Sequence, residues 1–203
     1  SPAALERFAA EAVDLASISE PDEFAGLPEP ELLSRATTAA GLSLYDEHME
    51  TLSTDERIRM AKACEGAALG FDARVNNYDG ASLSTRIGQL ALANSYGFEG
   101  SYPATSISLM VEAIADDADG KKRNGYWYSA ERSLHRLMDP EEIGRVAARR
   151  TIDQLGARKI ATCQSPVVFE PMMTVALMGD LVGCATGSAL YRGATFLASR
   201  AGK

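Results

Sequence analysis

Histidine is almost missing from this chain: His48 and His135 are the only two among 203 residues. Catalytic zinc is held by clustered imidazole, thiolate and carboxylate groups. These two histidines lie on different elements, without a carboxylate or thiol at ligand spacing, so each reads as a surface or partly buried side chain. Cysteine is nearly as scarce. Cys64, Cys163 and Cys184 are odd in number and form no C-x-x-C pair, which suits a reduced, cytoplasmic compartment better than a disulfide framework. Positive charge is also short: 20 Lys and Arg face 28 Asp and Glu, giving a net charge of −8 and a pI near 4.9. A phosphate-neutralising surface is therefore not expected, nor a nucleic-acid partner.

Several chemical signatures are absent too. No window matches G-x-x-x-x-G-K-[ST], and Gly187-Ser188 does not continue into a G-x-S-x-G nucleophile elbow. "DDADG" (116–120) lacks the flanking acids of a calcium loop, since Ala115 and Tyr126 occupy those positions, and reads as a turn. No signal peptide opens the chain. It begins at Ser1 and stops at Gly202-Lys203 just after an apolar run, which reads as a fragment.

What is present is ordinary globular material, 46% hydrophobic and 24% charged. The charge is unevenly spread. Residues 1–60 hold 13 acids and 4 bases, whereas 121–160 hold 5 acids and 10 bases, among them Arg132, Arg136, Arg145, Arg149 and Arg150. This basic stretch is expected to pair with acids or to solvate a helix face.

The patterning predicts an α+β fold: a long antiparallel sheet flanked by helices, followed by the start of a second β-rich domain. Pro2 opens a helix over 2–17 with Leu5, Phe8, Ala12 and Leu15 on one face. A proline-rich connection follows at 19–31. Ser53 and Glu56 form a capping box for a helix whose stripe runs Ile58, Ala61, Cys64, Ala68 and Phe71, with Cys64 read as a small core residue. From 72 to 135 the period becomes two, giving three or four strands with turns at Gly97–Gly100 and Asp119–Gly125. Tyr126 and Tyr128 fall on one sheet face and Trp127 on the other, as cross-strand packing or as one wall of a peptide cleft. Asp139, Pro140 and Glu142 start another capping-box helix, closed by Gly156. A short strand is expected at 165–171 and a helix at about 172–187. The domain division is 1–34 (helical end of an N-terminal region and linker), 35–158 (the sheet domain) and 159–203 (the truncated start of a C-terminal domain).

The last helix carries "MGDLVGCATGS", with Gly179, Gly183 and Gly187 at four-residue intervals. Each glycine costs about 1 kcal/mol of helix propensity against alanine. Asp180 at the centre argues against a membrane span, despite the G-x-x-x-G spacing that favours helix pairing in lipid. The remaining reading is a bare ridge for close packing, in the core or across a subunit boundary.

Three stretches carry a resemblance: "LANSYGFEGSYPATSISL", ending at Leu109, "DPEEIGRVAARRTIDQLGARKIATCQSPVVFEP" (139–171) and "GSALYRGATFLASRAGK" (187–203). In this order they resemble the TldD/PmbA family, once called modulators of DNA gyrase. The resemblance implies a two-subunit cytoplasmic metalloprotease that cuts unfolded or extended peptides and degrades or matures small ones. Its catalytic subunit carries His-Glu-x-x-x-His after a strand beginning Pro-Val-Val. Aligned from Pro166, that motif places Gly179 at the first histidine, Asp180 at the glutamate and Cys184 at the second histidine.

Glycine offers no ligand, and one thiolate cannot hold a catalytic zinc alone. The resemblance is therefore to the PmbA/TldE-type partner, in which these degenerate positions are not catalytic and zinc belongs to a TldD-like subunit. The expected partners are that subunit, as a heterodimer, or a second copy as a homodimer, with an extended peptide as substrate and no membrane. Two alternatives stand beside this: an independent metal-dependent peptidase drawing ligands from outside the fragment, and a protein-binding modulator of DNA gyrase.

Overall fold

The computed structural model describes residues 1–22, 25–33, 41–118 and 120–200. The boundary expected at 34/35 and the Asp119 turn position lie outside these residues. The chain forms two compact units, Ser1–Ala157 and Arg158–Lys203.

The first unit is α+β. Helix α1 (Pro2–Ser17) opens on proline as expected, yet none of its residues is buried, and Leu5 and Phe8 are exposed. Its apolar stripe finds no cover among the described residues. A one-turn helix α2 (His48–Thr51) precedes α3 (Thr54–Leu69), whose capping box is complete. The Ser53 hydroxyl oxygen accepts from the Glu56 amide at 3.2 Å, and the Glu56 carboxylate accepts from the Ser53 amide at 3.0 Å. Strands β1 (Val75–Ala93), β2 (Glu99–Asp116) and β3 (Lys122–Glu131) then form one antiparallel sheet in the order β1-β2-β3. Helix α4 (Pro140–Ile152) follows, with the Asp139 carboxylate accepting from the amides of Glu141 and Glu142.

The expected capping box at α4 is half made. The Glu142 carboxylate turns outward to accept from Arg145 Nε at 2.9 Å, because a guanidinium is a stronger donor than the Asp139 amide. Leu155, expected inside this helix, lies past its end, while Gly156 at φ +73° makes the left-handed stop.

The core lies between one sheet face and the pair α3/α4. Leu109, Val111, Ala113 and Ala115 point inward from β2 and are fully buried with Cys64, Ala68, Ile143, Ala147 and Ala148. A smaller cluster of Met49, Leu52 and Ile107 seals the end near α2. The two helices cross at Gly144, where a Cβ would sit 2.2 Å from the Cys64 carbonyl oxygen and 3.0 Å from the Ala68 nitrogen. Thr151 stitches α4 to the sheet, its buried hydroxyl lying 2.9 Å from the Ala147 carbonyl and 3.1 Å from that of Ala113.

β1 and β2 are far longer than common strands. β3 stops at the pair Ile107↔Glu131, while β1 and β2 continue from Arg86↔Ser106 to Ala93↔Glu99. The hairpin thus projects roughly 25 Å past its neighbour at about 3.4 Å per residue. Ile87, Leu90 and Leu92 on this arm are exposed.

In the second unit, α5 (Pro171–Cys184) forms where a helix was expected at about 172–187 but ends three residues sooner, and a separate helix α6 (Gly187–Tyr191) follows. The break comes at Thr186, whose hydroxyl caps α6 by accepting from the Ala189 amide, so Gly187 leaves the ridge. The short strand expected at 165–171 does not form: residues 165–170 belong to no strand, Pro171 already opens α5, and an extended segment without a paired neighbour leaves its backbone groups outside any ladder. The ridge is not packed in a core either: apart from chain neighbours and the backbone of the same helix, no described atom lies within 4 Å of a Cβ built on Gly179, Gly183 or Gly187, and α5 has no buried residue. Within this chain the close helix contact is made by Gly144 instead.

Candidate functional site

An open cleft of about 1320 Å³ lies where β3 ends. It is built because β2 outruns β3 and the segment 44–46 takes over its exposed edge. The Thr105 amide donates to the Leu44 carbonyl at 2.9 Å, and the Asp46 amide donates to Thr105 Oγ1 at 3.0 Å. Thr105 Oγ1 in turn donates to the Arg132 carbonyl at 2.6 Å, joining the chain leaving β3 to the same point.

Asp46 is the knot of this corner. One carboxylate oxygen accepts from the His48 amide at 3.0 Å and from His48 Nδ1 at 2.9 Å, and the other accepts from the Leu134 amide at 2.8 Å. The His48 ring bond, followed by the Leu134 amide, holds the Asp46 carboxyl below its ordinary range. An ionised Asp46 can only accept, so His48 carries its proton on Nδ1 and leaves Nε2 open. The Tyr45 hydroxyl donates to the Glu50 carboxylate, which pushes the phenol pKa up.

Both histidines of the chain line this one cleft, joined there by Arg86, Arg132 and Arg136. Sequence spacing gave no sign of this, because His48 and His135 belong to segments separated by the whole sheet. The only local hint was Asp-x-His at 46–48, a spacing suited to an Asx-type turn.

The motif positions are placed elsewhere. Gly179 and Asp180 are exposed on α5, and Cys184 ends that helix half-buried. No group of three or more His, Cys, Asp and Glu side chains among the described residues could hold a metal ion. The donor set at 179, 180 and 184 does not fit zinc: it offers one carboxylate and one thiol, where a catalytic site needs three protein ligands. Cys64 is a core residue as expected, its thiol pKa pushed up to about 12 by burial, which keeps it from acting as a nucleophile.

On the aromatic strand, Tyr126 and Tyr128 lie exposed on the outer sheet face beside Met110. Trp127 packs inward, with the Arg150 guanidinium 5.1 Å from its ring centroid. The basic stretch at 121–150 largely serves structure. Arg123 pairs with the nearly buried Asp117 at 2.9 Å, and Asp117 also accepts from the Gly156 amide at 3.0 Å. No helix among the described residues is long and apolar enough to cross a membrane.

Residues 47–155 match the family described as the PmbA/TldA metallopeptidase central domain. Metalloprotease PmbA of Escherichia coli O157:H7 is 37% identical over 203 residues, and a homologue from Haemophilus influenzae is 29% identical over the same length. The chain spans 44% of the length of each of these relatives. Among solved structures, a candidate modulator of DNA gyrase from Bacteroides thetaiotaomicron superposes with a TM-score of 0.87 at 28% identity, covering 97% of this chain and 44% of that one. A similarly described protein from Thermotoga maritima gives 0.58 at 28% identity, covering 75% of this chain and 32% of that one. The family match covers the sheet, α3, α4 and the cleft residues from Glu47 onward, and this chain belongs to the PmbA/TldD family.

Proposed function

We propose that this chain acts as the PmbA/TldE-type, non-catalytic subunit of a cytoplasmic two-subunit metalloprotease that degrades or matures peptides. What supports this reading is the residue set on α5: aligned from Pro166 on the motif that the family resemblance implies for a catalytic subunit, Gly179, Asp180 and Cys184 offer one carboxylate and one thiol in place of two histidines and a glutamate. In this reading zinc is held by a TldD-like partner, and this subunit shapes the path of an extended peptide and supports the partner's active centre. The sheet domain supplies the rigid scaffold, and its arm and cleft supply surfaces for peptide or partner.

The test is cleavage by reconstitution. The full chain is purified alone, with a TldD-like subunit, and with that subunit inactivated at its zinc ligands, and each is given an unfolded peptide. Chelator-sensitive cleavage by the pair only, lost with the inactivated partner, is the expected result. Cleavage by this chain alone would reject the reading.

A second reading is favoured by the word metalloprotease in the names of the relatives. Here the chain belongs to a peptidase in its own right, with ligands supplied from outside these 203 residues. Zinc bound in one-to-one ratio by the full chain would favour it. Modulation of DNA gyrase, the description attached to the solved structures, would instead show as gyrase captured with no peptidase partner.

A further inference from the structure

The cleft at the end of β3 is lined by three carboxylates, Asp46, Glu47 and Glu131, and three guanidiniums, Arg86, Arg132 and Arg136. The Asp46 carboxylate already accepts from three donors, the His48 amide, His48 Nδ1 and the Leu134 amide, which ties its oxygens to this corner of the cleft. Glu131 faces Arg136 at 3.6 Å. Arg86, on β1, and Arg132, just after β3, line the same concavity with no ion-pair partner among the described residues. Both are exposed and reach the concavity from separate segments, Arg86 from β1 and Arg132 from the chain that leaves β3. Guanidinium presents a planar fork of donors that matches a carboxylate in two-point geometry.

We propose that this cleft is a binding site for a peptide carboxylate, with Arg86 and Arg132 as its anchors. The proposal rests on the reading of the protein as a peptide-handling subunit and adds the chemistry by which a peptide is held. A volume near 1320 Å³ exceeds that of common small-molecule sites and accommodates several residues of extended chain. The floor supplies the hydroxyls of Ser84, Ser106 and Ser108 for main-chain groups. In the neutral imidazole, the tautomer that donates from Nδ1 to Asp46 leaves Nε2 as an acceptor suited to a peptide N–H. The acidity of the remaining surface repels polyanions but tolerates one carboxylate, which favours a peptide over a nucleic acid.

The experiment measures fluorescence anisotropy of a labelled, unstructured peptide on the full chain, alone and with its TldD-like partner. Three probes are compared: a free C-terminal carboxylate with an internal glutamate, the same peptide amidated at the C-terminus, and the same peptide with glutamine for glutamate. Removing the recognised carboxylate should weaken binding about tenfold, and the affected probe tells whether it is terminal or side-chain. The exposed double variant R86Q/R132Q should lose a similar factor on the intact peptide. It should lose nothing further on the probe already lacking the recognised carboxylate, with unchanged circular dichroism.

Equal binding of all three probes, or wild-type affinity in the double variant, would overturn the proposal. So would a full chain that binds no peptide because its own residues fill the cleft. If partner-dependent cleavage persists while R86Q/R132Q changes nothing, only the carboxylate site fails. If carboxylate binding follows the two arginines but no partner ever yields cleavage, the subunit reading fails and the site stands.

Discussion

At the scale of single residues, two positions decide whether the sheet domain closes. Gly144 is required by the crossing of α3 and α4, where the Cys64 carbonyl occupies the space a side chain would need. A backbone atom cannot swing aside as a side-chain tip can, so Gly144→Ala must part the helices. We expect destabilisation near the upper end of overpacking effects, roughly 3 kcal/mol, measured by urea unfolding. A stability equal to wild type would show that the helices reseat without cost. Asp46 works differently, through charge. Its folded carboxyl lies below the ordinary range, so the native state is favoured while pH stays above the unfolded value near 4. That advantage drains away as pH falls through the depressed folded value. Asp46→Asn should therefore melt lower than wild type at pH 7, because its amide sets a donor against His48 and Leu134. The difference should shrink steadily below pH 4. A gap independent of pH would mean that packing, not ionisation, is what Asp46 contributes.

At the scale of elements, the β1–β2 arm is the feature that packing explains least. Between Ile107 and Asp116 the β2 strand is flanked on both sides and backed by helices, whereas from Glu99 to Ser106 most of its support is β1 alone. A two-stranded ribbon is marginal in water. Amides of the arm at 87–93 should exchange with deuterium well before those at 107–115, by at least about tenfold in the isolated chain. Equal protection would require a cover for Ile87, Leu90 and Leu92, and slowing on addition of a partner would identify that cover. The α5–α6 break belongs to the same scale. Thr186 accepts from the Ala189 amide and starts a new helix, so a run that is helical at nearly every residue still makes two elements.

At the scale of the molecule, the two units differ in what they settle. The first has a core of its own. The second exposes Val167, Val168, Val175 and Val182 and has no buried residue in either helix. The chain spans 44% of the length of its curated relatives, and the role of α5 is tested in the full protein. There the subunit reading makes a plain forecast: zinc bound by the full chain, measured by atomic emission after dialysis, stays far below one ion per chain. A one-to-one ratio would mean that α5 meets ligands from elsewhere, and the peptidase reading would take its place.

The sequence by itself determined several helix starts and stops and the extent of the sheet, because these depend on neighbours along the chain. Pro2, the Ser53–Glu56 box, Asp139 and Gly156 act over one helical turn, and the period-two run at 75–131 reports a sheet with one buried face. The family was legible for the same reason, through the order of local stretches. Tertiary structure alone decided which glycine makes the close contact, Gly144 and not the ridge at 179–187, since close approach depends on a second helix arriving. It alone gathered His48, His135, Arg86 and Arg132 around one cleft. Those side chains meet only because β3 ends before β2, and the relative lengths of paired strands are set by what packs beside them.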